Sequence, residues 1–186
     1  PGTIFDANRP MLAGLVEAQG FEPIDLGRIP DDADAVRAAL TRAASEADAV
    51  VTSGGASGGD EDHVARELGA MGAMTLWRIA MKPGRPLAMG QIGGVPVFGL
   101  PGNPVAAFVC FLLFARPALM RLAGAGWPEP TRFPVAAAFS AKKKPGRTEY
   151  LRGRYLGDGR VEKFRSEGSG LITGLRWSDG LIALTH

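Results

Sequence analysis

Apolar residues near the start of the chain recur at helical spacing, at Met11, Leu12, Leu15 and Val16. Asp6 or Asn8 can cap that helix, Pro10 suits its first turn, and Gly20 ends it. The next run, FEPIDLGRI from Phe21 to Ile29, reads as a strand. Pro30-Asp31-Asp32 then opens a second helix with Val36, Leu40, Ala43 and Ala47 on one face. DAVVTSGG is a short buried strand that runs into a glycine-rich turn. Asp60 is placed to cap a third helix, with Val64 and Leu68 inward and Gly69 as its stop. Met74 to Met81 is a further strand, and PLAMGQIGGVPVFGLPG a hairpin turning near Gly93-Gly94. Asn103 and Pro104 cap and start the longest helix, which reaches about Leu122 and is interrupted at Pro117. Gly124 and Gly126 close it.

Strand alternating with helix predicts a doubly wound α/β domain, which binds ligands beyond the carboxyl ends of its strands. After Trp127 no helical period persists. RFPVAAAFS, TEYLRGRYL, RVEKFRS, GLITGL and GLIALTH are short segments split by Gly, Asp or Pro, which predicts a small all-β barrel domain of four or five strands. The expected division is 1–125 and 126–186, with the boundary near Gly124 to Pro130.

Composition adds mostly exclusions. With 46% hydrophobic and 22% charged residues, the chain has the make-up of a globular protein rather than a disordered one. A net charge of +2 demands no polyanionic partner. The single cysteine, Cys110, rules out an intrachain disulfide and a multi-cysteine metal site, and its apolar helical setting marks it as a buried small hydrophobe. No basic region followed by an apolar core marks a signal peptide, and the longest apolar run, Val105 to Ala115, is shorter than the roughly 20 residues that span a bilayer. The expected location is cytoplasmic, with no membrane partner. The start at Pro1 rather than Met suggests a piece of a longer protein.

Two glycine-rich turns carry the candidate chemistry. Each follows an apolar run and precedes a helix, where unpaired N–H groups and the helix dipole favour an anion. Ser53, Gly54, Gly55, Ser57, Gly58 and Gly59 can cradle a phosphate, against the plainer reading of a tight strand-to-helix turn. Asp60-Glu61-Asp62 follows at once; carboxylates beside a phosphate site call for a cation between them, and Mg²⁺ is the expected one. Helix capping accounts for Asp60, so Asp62 is the surplus carboxylate. His63 has no ligand partner at metal spacing and reads as a surface or capping residue. Arg78, Lys82 and Arg85 are cations whose convergence on an anion exceeds what a solvated face requires; Arg78 and Lys82 share a face if one strand carries both. Asp31 reads as a helix cap. Lys142-Lys143-Lys144 lacks interleaved aromatics and reads as a solvated hairpin edge, not a nucleic-acid surface.

With these residues placed, the chain resembles the molybdopterin molybdenumtransferase family (MoeA and the E domain of gephyrin). The matching pieces are DANRPML, TSGGASGGDEDH, WRIAMKPGRPLAMG, GLPGNPVAAF, GRTEYLRG and EGSGLITGL, in order along nearly the whole chain. The resemblance implies a MogA-like molybdopterin-binding domain followed by a C-terminal β-barrel domain. The implied reaction is insertion of molybdenum from molybdate into adenylated molybdopterin, with Mg²⁺ or a similar cation and release of AMP. It also implies Asp31 and Asp62 as acidic groups for the cation or molybdate, and Ser53 to Gly59 as the pterin-phosphate loop. Arg78, Lys82 and Arg85 would be anion-binding cations, Pro101, Gly102, Asn103 and Pro104 the second loop, and Arg152 and Ser169 functional positions in the barrel. Arg78 stands where some members carry lysine, and Ala56 and Gly58 where valines are common. In that family a first strand with a TGDEL-like turn and two further domains come earlier. Through those domains it forms a homodimer, and an adenylyltransferase is a possible partner. The fragment alone is expected to be inactive. A molybdopterin adenylyltransferase, a CinA-like hydrolase and a gephyrin-like scaffold are the rival readings. The β module and GLPGNP argue against the first, GGASGGDED against the second, and the lack of a linker or peptide-binding signature against the third.

Overall fold

The computed structural model describes residues 5–55, 62–71 and 74–185. Helix α1 spans Asn8–Glu17 and α2 Ala33–Glu46. Asp6 Oδ1 accepts the Asn8 and Arg9 N–H groups at the start of α1, and Asp32 Oδ1 accepts Ala35 N–H at the start of α2. Both are local side-chain caps for otherwise orphaned donors. Strand β1 (Val50–Ser53), helix α3 (His63–Ala70) and strands β2 (Met74–Arg78), β3 (Met81–Lys82), β4 (Pro86–Ile92) and β5 (Val95–Leu100) follow. The hairpin β4–β5 turns at Gly93-Gly94, both at positive φ. Gly69 lies within α3 rather than after it.

Strands β1, β5, β4 and β2 form the first sheet in that spatial order; β1 and β5 are parallel, the other pairs antiparallel. Alternation along the strands sends side chains to two cores. Leu87, Phe98 and Leu100 face a cluster completed by Leu12 of α1 and by Val105, Val109 and Phe111. Ala88 and Val97 face the cluster of Val36, Leu40 and Ala43 from α2 and Val64, Ala65 and Leu68 from α3. Helices thus cover both faces of the sheet. Arg37 and Arg66 reach the buried carboxylate of Glu67, and the hydrogen bond from Arg37 holds that acid below its usual range. This pair ties α2 to α3.

The segment from Phe21 to Ile29 is not a strand. Asp25 Oδ1 accepts Gly27 N–H, and Gly27 takes a positive φ of 77°, an Asx turn that breaks extension. No described strand pairs with β1 on the side away from β5.

The long helix is divided. Helix α4 (Pro104–Cys110) passes through a π-helical turn, Phe111–Ala115, into α5 (Arg116–Leu122). Pro117 has no N–H to give, and Arg116 N–H bonds Phe111 O, five residues back, so the interruption expected at Pro117 becomes a widened turn just before it. By length and composition alone Pro104–Leu122 could cross a bilayer, but half of it is buried in the protein, with Val109, Cys110, Phe111 and Ala115 fully enclosed; it is a core helix. Burial pushes the Cys110 thiol up to about 12, which leaves it an inert packing group.

The second sheet holds β6 (Ala136–Ala137), β7 (Thr148–Tyr155), β8 (Arg160–Lys163) and β9 (Gly180–Leu184), together with β3. Strand β7 is its spine, paired with β3, β8 and β9. GLITGL is not a strand. It leads into a short helix, α6 (Thr173–Trp177), whose Gly174 lies so close to Phe164 and Arg152 that an added Cβ would sit 2.8 Å from the ring and 2.7 Å from the guanidinium.

Candidate functional site

The two glycine turns meet. Parallel pairing of β1 with β5 sets Ser53 opposite Leu100, so Gly54-Gly55 and Pro101-Gly102-Asn103 leave the sheet side by side at its carboxyl end. Gly54 N–H bonds Leu100 O at 3.0 Å, and a Cβ on Gly102 would stand 3.7 Å from Gly54 Cα. Gly54 and Gly55 both require positive φ, 91° and 69°. Ala56, Ser57, Gly58, Gly59, Asp60 and Glu61 lie outside the described residues.

Asn8 locks the turns together, a role the sequence did not signal. Its side-chain amide donates to Ser53 Oγ at 2.6 Å and to Gly102 O at 2.7 Å, while Ser53 Oγ also reaches Pro101 O at 3.3 Å. The partners lie 45 and 94 residues along the chain, out of reach of local pattern. Asn8 is buried, and its Oδ1 and Thr52 Oγ1 are the buried side-chain polar atoms left without a partner among the described residues. Both residues line a cavity of 1720 Å³, bounded by α1, the 21–31 segment, α2 and β1. Asn8→Ala is expected to lower stability by about 1–3 kcal/mol in urea unfolding, since Gly102 O and Ser53 Oγ lose a donor together. Asn8→Asp, which keeps the shape but sets a carboxylate against those two oxygens, is expected to cost more.

Asp31 and Asp62 come to one end of α3. Asp62 occupies the N-cap position. His63, the next residue, sets Nε2 3.7 Å from Asp31 Oδ1, while its Nδ1 is 2.8 Å from Arg66 Nη2. His63 is therefore a partly buried link between Asp31 and Arg66 rather than a plain surface or capping residue. Asp31 itself is exposed.

The basic trio does not converge as the single-strand reading requires. Strand β2 ends at Arg78, in the first sheet, and Lys82 lies on β3, in the second, so the two share no strand face. Arg85 is exposed beyond the turn. Lys82 sits opposite Glu149 in the parallel β3–β7 pair; its Nζ is 3.3 Å from Glu149 and 2.9 Å from Glu167. Hydrogen bonding to Glu167 raises the Lys82 pKa, and Lys82 and Lys163 hold the Glu167 carboxyl down to about 2. Glu149 is buried and also receives Arg147 at 2.8 Å. Lys82, Arg152, Phe164, Ser166 and Glu167 enclose a small cavity of 20 Å³ that Val105 of α4 also lines.

Arg152, 4% exposed, extends under the segment 166–171. It donates to Leu171 O at 2.8 Å, Gly168 O at 3.2 Å and Ser166 O, and its guanidinium lies 4.8 Å from the Phe164 ring centre. Ser169 is brought to the second glycine turn: its carbonyl accepts Val105 N–H at 3.0 Å, one residue past Pro104. Asn103 stands at the N-cap of α4 without a side-chain capping bond, and Pro104 starts the helix. Gly102 to Val105 thus lie between the large cavity and the small one.

Residues 1–121 match the family described as "Probable molybdopterin binding domain", and residues 134–186 match "MoeA C-terminal region (domain IV)". A molybdopterin molybdenumtransferase of Haemophilus influenzae is 37% identical over 98% of this chain. The crystal structure of a molybdopterin biosynthesis MoeA protein from Pyrococcus horikosii superposes on all of it with a TM-score of 0.80 and 31% identity, across 45% of that protein. A MoaB structure from Thermus, 18% identical with a TM-score of 0.53 over 67% of the chain and 89% of its own, shares the α/β fold. The chain spans about half the length of the relatives it matches, 46% of the Haemophilus protein. On these grounds the chain belongs to the molybdopterin-binding domain family, in the MoeA arrangement that places a domain IV after it.

Proposed function

We propose that this chain is the molybdopterin-binding part of an enzyme that inserts molybdenum from molybdate into adenylated molybdopterin and releases AMP. The observation that carries the reading is the joining of the two glycine turns by Asn8 at the carboxyl ends of β1 and β5. It occurs in a chain 37% identical, almost throughout, to a molybdopterin molybdenumtransferase. In this reading Ser53, Gly54 and Gly55, with Ser57, Gly58 and Gly59, receive the pterin phosphate; Pro101, Gly102, Asn103 and Pro104 form the facing wall. Arg78 and Arg85 supply positive charge at its rim. Lys82 and Arg152 line the neighbouring small cavity, where Lys82 serves the molybdate oxyanion and Arg152, with Ser169 bonded to Val105 close by, holds the 166–171 segment in place. Catalysis rests on alignment and charge compensation, with no covalent nucleophile. The chain is proposed to divide into domains 1–125 and 126–186, with β3 of the first joining the sheet of the second and carrying Lys82 to it.

The described residues contain no group of three or more His, Cys, Asp or Glu able to hold a metal. Asp31 and Asp62 together still suit Mg²⁺, which takes one or two carboxylates and completes its shell with water and substrate phosphate. When bound, the cation would screen the phosphates from those carboxylates and polarise the leaving group. The full-length protein is proposed to act in the cytoplasm as a homodimer, receiving its nucleotide-activated substrate from an adenylyltransferase.

The test is molybdenum insertion by the full-length protein with adenylated molybdopterin. Asp62→Ala is expected to lower the rate by about a hundredfold, the scale of losing one electrostatic contact in a dry site. Unchanged insertion would remove Asp62 from the mechanism.

A further inference from the structure

The segment Ser166–Leu171 touches both cationic side chains that line the small cavity, Lys82 and Arg152. Its carbonyls at 166, 168 and 171 take the Arg152 guanidinium. Its Ser169 carbonyl takes an N–H from the first turn of α4. Its one acidic side chain, Glu167, takes the Lys82 ammonium at 2.9 Å and the Lys163 ammonium at 3.0 Å. The backbone contacts fix the segment from beneath and from the side. The carboxylate differs from them: Glu167 is 42% exposed at its side chain and can rotate into water without moving the backbone. Glu149 cannot do so, because it is buried and also holds Arg147.

We infer that Glu167 is a built-in competitor for the oxyanion: its carboxylate occupies Lys82 until a tetrahedral dianion displaces it. The inference rests on the proposed assignment of Lys82 to molybdate. A carboxylate and a molybdate oxygen make the same charge-assisted hydrogen bond to an ammonium, so the two exclude each other at one Nζ position. Glu149 stays in place during the exchange and keeps Lys82 aligned and charged. Lys82, Lys163, Arg147 and Arg152 against Glu149 and Glu167 leave the cluster two positive charges in excess. Neutralising Glu167 leaves three. The competitor thereby favours a dianion, which recruits two cations, over chloride or a monoanion, which gains less from displacing a carboxylate that bridges two lysines.

The experiment is calorimetric titration of the full-length protein with sodium molybdate, with inorganic phosphate and chloride as comparison anions, for wild type, Glu167→Gln and Lys82→Met. Glu167→Gln is isosteric and exposed, so folding is retained. It is expected to bind molybdate roughly tenfold more tightly, by an amount that shrinks with added salt, and to lose discrimination against chloride. Lys82→Met is expected to abolish the gain when combined with Glu167→Gln. If Lys82→Met binds molybdate as wild type does, the assignment of Lys82 to the oxyanion fails. If Lys82→Met weakens binding but Glu167→Gln leaves it unchanged or weaker, the assignment stands and the competitor is overturned.

Discussion

Gly84→Ala is expected to destabilise the protein by about 3–5 kcal/mol, the sum of left-handed backbone strain and overpacking in a filled core. Gly84 lies in the Lys82–Arg85 turn with φ at +100° and is buried. A Cβ there would stand 2.4 Å from Cys110 Sγ and 3.4 Å from Met81 Cε. Met81 can swing its terminal methyl aside. Cys110 cannot: its side chain is short, fully enclosed in α4, and in contact with Gly84 O. The turn must rise off the helix instead, and Lys82, which reaches Glu149 and Glu167 from its near end, moves with it. Urea unfolding measures the loss. Pairing Gly84→Ala with Cys110→Ala is expected to recover about half of it, because the clash is relieved and the backbone strain is not. A loss under 1 kcal/mol for Gly84→Ala alone would mean that the turn does not rest on α4 as described.

What pattern reached, and what it did not, follows from the range of the forces. Helix faces were legible because Val36, Leu40 and Ala43 repeat within one element, and the hairpin because Gly93-Gly94 answers a local need for positive φ. That the two glycine turns come together was also legible, since both follow strands of an α/β sheet. Phe21–Ile29 has the composition of a strand, but a strand needs a neighbour, and an Asx turn at Asp25–Gly27 prevails where no described strand supplies one. GLITGL likewise has strand residues, yet Gly174 permits one helical turn against Phe164 and Arg152. The single strand expected from Met74 to Met81 divides between two sheets, a tertiary choice invisible in its own residues. For the same reason Lys82 was placed beside Arg78, although its nearest charges lie 67 and 85 residues away. Asn8 was visible only as a possible cap, whereas its amide serves the turns and Asp6 does the capping.

Arg152 is the remaining position where stability and chemistry are entangled, and Arg152→Met separates them. The methionine keeps most of the packing on Phe164 but leaves three carbonyls of the 166–171 segment without their donor. Gly168 and Leu171 are exposed enough for water to replace part of the loss, so the expected cost is about 2–4 kcal/mol rather than the full penalty for three buried groups. Arg152→Lys restores the charge but not the fork that spans three acceptors, and is expected to recover less than half of it. The functional consequence follows from geometry. Loosening the segment frees Glu167 from its fixed place near Lys82 and withdraws Ser169 O from Val105 N–H, so Arg152→Met alters the oxyanion site without a contact of its own. Arg152 is then a positioning residue, and its effect on molybdate affinity should overlap with that of Glu167→Gln. In a double-mutant cycle by calorimetry, the two changes are expected to depart from additivity by about 1 kcal/mol. Strict additivity, with Arg152→Lys retaining wild-type affinity, would instead assign Arg152 a direct contact with the anion through its charge.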